Sequence, residues 1–334
     1  MTSIAAGIPP RGAAALATPD AGVWMHRYAV FVAVCTALLV FAGGLVTSTG
    51  SALSVPDWPL SYGTVFPPMV GNVRFEHGHR LVAASVGMLT LGLAVWLWRR
   101  EPRRAVRRLG LLALGAVVLQ GLLGGLTVLL LLPPPVSVAH ACLGQTFFCL
   151  VVAIALVTSP GWRRAAVAPA RPPLPALAAV LTGLVYLQLL VGATMRHTGA
   201  GLAIPDFPLA FGRLVPPFEA PGVAVHFAHR VLGFVVAGCA AFVAATAVRQ
   251  RAVPHLRAPA LAALALVLVQ IGLGGLTVWS AKAVVPTTLH VLNGALILAT
   301  SLVLALRSFR ALGRVAAPVF VAPGHAVRAA GGVT

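Results

Sequence analysis

The stretch EHGHRLVAASVGMLTLGLAVWLWRR (76–100) decides how the chain is built. From Leu81 to Trp98 it holds no charged residue, and Arg99 and Arg100 close it. At 1.5 Å per residue such a run covers about 27 Å as a helix, close to the thickness of a bilayer's hydrocarbon core. A soluble helix of this length needs a polar face, and this one has none. Its polar head, with Glu76, His79 and Arg80, stands at the opposite end from the arginine pair.

The same pattern recurs along all 334 residues. Eight spans are predicted, with limits near 28–47, 76–98, 109–131, 136–158, 174–195, 224–248, 258–280 and 286–306. The chain is 59% hydrophobic and 9% charged, against about 25% charged in a typical soluble domain. Mean hydropathy is +0.95. A soluble globular enzyme and a disordered protein are both excluded. The net charge of +18 invites a nucleic-acid reading. The placement of the arginines defeats it, because they cluster in short segments between apolar runs.

Those clusters alternate. Arg99, Arg100, Arg103, Arg104, Arg107 and Arg108 follow the second span. Arg163, Arg164 and Arg171 follow the fourth, and Arg249, Arg251 and Arg257 the sixth. The opposite loops hold only Arg74, Arg196, Arg213 and Lys282. By the positive-inside rule both termini are expected in the cytoplasm of a cell (plasma) membrane protein, with loops 48–75, 132–135, 196–223 and 281–285 outside. Segments 1–27 and 309–334 are rich in small residues and are expected to be disordered cytoplasmic ends, with 161–173 as a cytoplasmic linker. Cys35, Cys142, Cys149 and Cys239 all lie inside apolar runs and read as small buried residues.

The chain also repeats itself at an offset of about 150 residues. GSALSVPDWPLSYG (50–63) matches GAGLAIPDFPLAFG (199–212), and EHGHR (76–80) matches HFAHR (226–230). QGLLGGLTV (120–128) matches QIGLGGLTV (270–278), and His140 precedes His290 by 150 residues. Each half has an even number of spans, so both halves share one orientation. The fold expected is an all-α membrane protein of eight transmembrane helices, arranged as two fused, parallel-repeat four-helix bundles over 28–160 and 174–308.

Four histidines survive the repeat: His79, His140, His229 and His290. Counting from each to the arginine that ends its span gives 20 residues for His79 and His229, 23 for His140 and 17 for His290. All four therefore sit roughly 25–35 Å above the inner face, near the outer edge of the bilayer. A single intramembrane histidine is commonly a satisfied polar group in a helix contact. Four at one height, two per bundle, point to a site. Imidazole is an axial ligand of haem iron, and two from facing helices can sandwich one porphyrin. Zinc fits less well, since no carboxylate or thiolate completes a four-ligand set.

The neighbouring residues have two readings each. Arg80 and Arg230 either snorkel to lipid headgroups or pair with haem propionates. Gln120 and Gln270 head glycine-rich stretches that let helices, or a flat macrocycle, approach closely. The loops PDWP (56–59) and PDFP (205–208) read as lids over the two sites. His26, His255 and His325 lie in polar flanks and are expected in solvent. Glu76 stands where the second half has His226. It precedes His79 by three residues and so shares its helix face. It reads either as a helix-start carboxylate or as an acid/base beside a porphyrin. Only one half has it, so the two sites are expected to differ in task.

These residues resemble the heme A synthase family. The resemblance is carried by TGSALSVPDWPLSYG, EHGHRL and GGLTV with His140, and by their echoes TGAGLAIPDFPLAFG, HFAHR and GGLTV with His290; it spans about residues 28–306. It implies oxidation of the carbon-8 methyl of haem O to a formyl group, which gives haem A for terminal oxidases. It implies haem b as cofactor on His229 and His290, haem O as substrate at His79 and His140, and Glu76 as the catalytic carboxylate. Implied partners are the haem O synthase (farnesyltransferase), terminal oxidase assembly factors and the lipid bilayer, with no nucleic acid. Some members carry a cysteine pair in each large outer loop; neither loop has one here. Arg196 keeps a position that is Thr47 in the first half. Two other classes compete: a two-haem b-type membrane electron-transfer protein, which has no need of Glu76, and a transporter, which would need charges at the midplane.

Orientation is directly testable. A topology reporter fused after residue 165 should read cytoplasmic, and one fused after residue 215 external. The reverse pattern would move all four histidines to the inner face.

Overall fold

The computed structural model describes residues 19–164 and 173–312. Segments 1–18, 165–172 and 313–334, which hold most of the expected terminal disorder and of the expected linker, together with Arg171 and His325, lie outside the described residues. Eight long helices carry the chain: α1 Pro19–Ser48, α2 Val73–Arg100, α3 Arg104–Leu129, α4 Pro134–Thr158, α5 Leu174–His197, α6 Pro221–Arg249, α7 Arg257–Trp279 and α8 Val284–Leu312. All eight are long and apolar enough to cross a membrane. Short helical segments Pro160–Arg164, Ala200–Leu202 and Pro254–Leu256 complete the described secondary structure, apart from two isolated bridges.

The helices outrun the predicted apolar runs, and their extra turns are packed, with Met25, Ala311 and Leu312 buried. Residues 19–27 and 309–312, expected to be disordered, are helical. Met25 is buried and Arg27 lies over the Trp24 ring at 5.0 Å. His26, expected in solvent, is half-buried and bonds through Nδ1 to the Ala155 carbonyl at 2.9 Å, which ties α1 to the end of α4. His255 is exposed.

In the first half α1 packs on α2 and α4, and α3 on α2 and α4. In the second half α5 packs on α6 and α8, and α7 on α6 and α8. The halves meet where α1 and α4 touch α8 and where α4 touches α5. Half of the most apolar stretch of α4 and of α8 is buried, against 22–28% for the other six. Each half has its own apolar core, around Val32, Leu93, Leu97, Phe147 and Ile154, and around Leu181, Val243, Leu298 and Leu304. Both cores lie toward the ends of the helices away from the long loops 49–72 and 198–220. Large apolar side chains such as Phe31, Met88 and Phe234 are exposed on the outer helix faces, as lipid contact demands. The four cysteines are half-buried free thiols on the helices.

Glu101 locks the arginine-rich end of the first half. It is 3% exposed. It accepts from Arg103 Nε at 2.7 Å, Arg103 Nη2 at 3.0 Å and Arg163 Nη2 at 3.4 Å, while Arg103 Nη1 donates to the Val157 carbonyl at 2.9 Å. Burial pushes the Glu101 carboxyl up, but the Arg103 donors pull it down further, and the net shift is below its ordinary value. Its contribution to stability is therefore complete at neutral pH and is lost as pH falls through the depressed value. Glu101→Gln should cost about 2 kcal/mol, the worth of hydrogen bonds to a charged group. Thermal unfolding in detergent should show the loss at pH 7 and a smaller difference in acid.

Candidate functional site

Each of the four histidines shared by the repeat faces a glycine on the preceding helix. His79 lies against Gly43, His140 against Gly124, His229 against Gly192 and His290 against Gly274. A methyl group at those glycines would stand 3.1, 3.1, 2.9 and 3.3 Å from the respective Cε1 atoms. The missing side chains are what give the rings their room. The His229 and His290 ring centres are 6.3 Å apart. Two metal–imidazole bonds of about 2 Å, placed end to end, put ring centres about 6 Å apart. Nδ1 of His79, His140 and His290 is buried without a protein partner, which is uncommon for buried polar atoms. A pair of imidazoles at this spacing, on two helices of one half, is a set that could hold a haem iron. His79 and His140 hold the same register in the first half, on α2 and α4.

The glutamines do more than allow close packing. Gln120 Nε2 donates to the His140 carbonyl and Gln270 Nε2 to the His290 carbonyl, each at 2.9 Å. Gln188 Nε2 makes the same bond to the His229 carbonyl at 2.9 Å. The repeat alone does not single out Gln188, because its first-half counterpart is Leu39. The available signal is a glutamine four residues before three of the four histidine-facing glycines, Gly124, Gly192 and Gly274.

The two long loops are built alike. Asp57 accepts from the backbone N–H of Tyr62 and Gly63 at 2.7 and 2.8 Å, and Asp206 from those of Phe211 and Gly212 at the same distances. Tyr62 and Gly63 have φ of +52° and +71°, a tight turn that needs its N–H groups held. These donors, Gly63 and Gly212 foremost, hold both carboxyls below the ordinary range. The aromatic residue after each Asp covers a glycine: Trp58 lies over Gly125, and Phe207 over Gly275. Both loops are thus folded back onto α3 and α7, one residue beyond the glycines that face His140 and His290.

Arg80 and Arg230 fasten these loops. Arg80 Nη1 donates to the carbonyls of Asp57 and Leu60 at 2.7 and 2.8 Å, and Nη2 to that of Val55 at 3.1 Å. Arg230 donates to the carbonyls of Leu209 and Ile204 at 2.8 and 3.2 Å. Glu76, 3% exposed, accepts from the Val55 N–H at 2.9 Å and from Arg80 at 2.7 Å. His226 takes the equivalent place, accepting from the Ile204 N–H at 3.2 Å. Glu76 and His226 therefore share one task, anchoring the loop backbone. Only Glu76 adds a charge and an ion pair. The first half alone also has Ser61 bonded to His77 Nδ1 at 2.8 Å, where the second has Ala210 and Phe227.

A model of the cytochrome oxidase assembly protein family matches residues 26–74 and 71–302. The chain belongs to that family. It is similar to the heme A synthase of Symbiobacterium thermophilum, 36% identical over 204 residues that cover 58% of this chain and 66% of that protein. The heme A synthase of Halalkalibacterium halodurans is 31% identical over 226 residues, covering 63% of this chain and 72% of the relative. That of Shouchella clausii is 31% identical over 217 residues, with 62% and 70% covered. The eight spans make this a multi-pass membrane protein.

Loop closure has a sharp test. A Cβ at Gly125 would sit 2.6 Å from the Trp58 indole, whereas one at Gly121 meets nothing within 4 Å. Gly125→Ala should expel Trp58 and speed limited proteolysis of loop 49–72, while Gly121→Ala leaves the cleavage rate unchanged.

Proposed function

We propose that this chain is a heme A synthase, a membrane oxidoreductase that takes the carbon-8 methyl of haem O to a formyl group and so supplies haem A to terminal oxidases. The observation that carries the reading is the pairing of glycine-backed histidines at one height under matching loops, with a buried carboxylate beside only one pair. The names of the relatives point the same way. In this reading His229 and His290 hold haem b, and His79 and His140 flank haem O. Haem b, when bound, supplies one-electron redox chemistry beside the substrate half.

The chain's own residues divide the remaining work. The four glycines let the porphyrin faces approach the helices, and the loops exclude water. Arg80 and Arg230 keep the loops closed, and a propionate reaching the loop edge meets the N–H groups they have left. Glu76 is held in a buried setting by its ion pair with Arg80 at 2.7 Å. Its two oxygens offer about four acceptor positions, so two existing bonds leave capacity for a proton. Glu76, one helical turn before His79, sets a negative charge where it can stabilise positive charge on a bound substrate and take up a proton from it. Loops 49–72 and 198–220 lie at the outer face, with both termini cytoplasmic. The haem O synthase and oxidase assembly factors are the partners expected in the bilayer.

Haem extraction and mass analysis of the purified protein tests the reading: haem b should accompany haem O or haem A. Haem b alone would overturn it in favour of a plain electron carrier. Glu76→Gln should keep haem b, still bind haem O, and form haem A at least about a hundredfold more slowly, the lower range for loss of a general base. Conversion at the wild-type rate would leave Glu76 as a loop anchor only.

A further inference from the structure

Three of the four histidines stand in one repeated device, and the fourth does not. In three cases the glutamine that grips the histidine carbonyl lies four residues before the ring-facing glycine: Gln120 before Gly124, Gln188 before Gly192 and Gln270 before Gly274. A second glycine, four residues after the histidine, gives the glutamine its space. A Cβ at Gly144, Gly233 or Gly294 would stand 3.1, 3.4 or 3.4 Å from that glutamine's Nε2. The register is Q-x-x-x-G on one helix and H-x-x-x-G on the next.

At His79 both halves of the device are gone. The corresponding residues are Leu39, four before Gly43, and Ala83, four after His79. Leu39 has no donor and packs against the apolar core of the first half. The second site has further support: Asn293 Nδ2 donates to Gln270 Oε1 at 2.7 Å and to the Leu266 carbonyl at 2.9 Å. The first-half counterpart of Asn293 is Leu143. Gln188 Nε2 also lies 3.2 and 3.4 Å from the two ring nitrogens of His229, so backbone and ring share one clamp. Such a bond joins two helices at the ligand residue itself, which fixes the ring's height and azimuth.

We propose that His79 is the exchangeable ligand of this protein, left unclamped by Leu39 and Ala83 so that the first site trades its haem while the second retains one. The inference rests on the assignment of haem O to the first pair. An enzyme whose substrate and product are both haems must let go of one macrocycle and admit another at every turnover. Clamps on all four histidines would hold product as firmly as cofactor. Leu39 and Ala83 are positioning residues by their absence of function, and Gln188 by its presence.

Haem transfer to excess apomyoglobin measures release without reference to activity. The rate is followed by Soret absorbance, and the haems transferred and retained are identified by mass. From the wild-type protein haem O or haem A should leave first and haem b remain. The double variant Leu39→Gln with Ala83→Gly, which builds the fourth clamp, should slow release from the first site about fivefold, the factor set by one net hydrogen bond. Haem b release should not change in it. In Gln188→Leu, haem b should leave about fivefold faster, and first-site release should stay at the wild-type rate. Equal first-site rates in the wild type and the double variant, with unchanged haem b release in Gln188→Leu, would overturn the clamp. Departure of haem b ahead of haem O from the wild type would instead overturn the assignment of the two halves.

Discussion

An imidazole inside a bilayer has no water to satisfy it, so it must meet a ligand or a protein group. Here that constraint falls on four residues at one height, and the surrounding architecture follows from it. Each ring needs a flat space, which a glycine on the neighbouring helix supplies. Three of the four also have their backbone gripped by a glutamine. The apolar cores are displaced toward the arginine-rich ends, leaving the other ends of the bundles for polar chemistry.

The loops above extend the same logic. A loop over a polar site at the membrane edge cannot leave its own carbonyls and N–H groups unpaired. Arg80 and Arg230 collect the carbonyls, Asp57 and Asp206 the turn N–H groups, and Glu76 or His226 one buried amide. Because these jobs are met in both halves, the differences between the halves stand out as chemical rather than architectural. Glu76 brings charge and Arg80 a fixed counter-charge. Leu39 and Ala83 replace a glutamine and a glycine.

Much of this was legible in residue order. Span number follows from uncharged runs, and the histidine set follows from the repeat at about 150 residues. Helix ends were less legible, since α1 and α8 continue past the apolar runs on tertiary contacts such as the buried Met25, Ala311 and Leu312, and His26 finds a carbonyl on a helix far away in sequence. The role of the arginines could not be read either. A run such as EHGHR gives a charge near one end of its helix, but not the loop carbonyls that fold back onto it. Gln188 escaped because a comparison of halves rewards identity, and its meaning lies in a mismatch with Leu39.

In the proposed division of labour the two histidine pairs hold different haems for different tasks. The most direct measurement is the haem content, by extraction and mass, of His290→Ala and His140→Ala side by side. His290→Ala should lose haem b and its low-spin spectrum, while His140→Ala should keep haem b and make no haem A. Loss of the same haem to the same extent in both variants would contradict it.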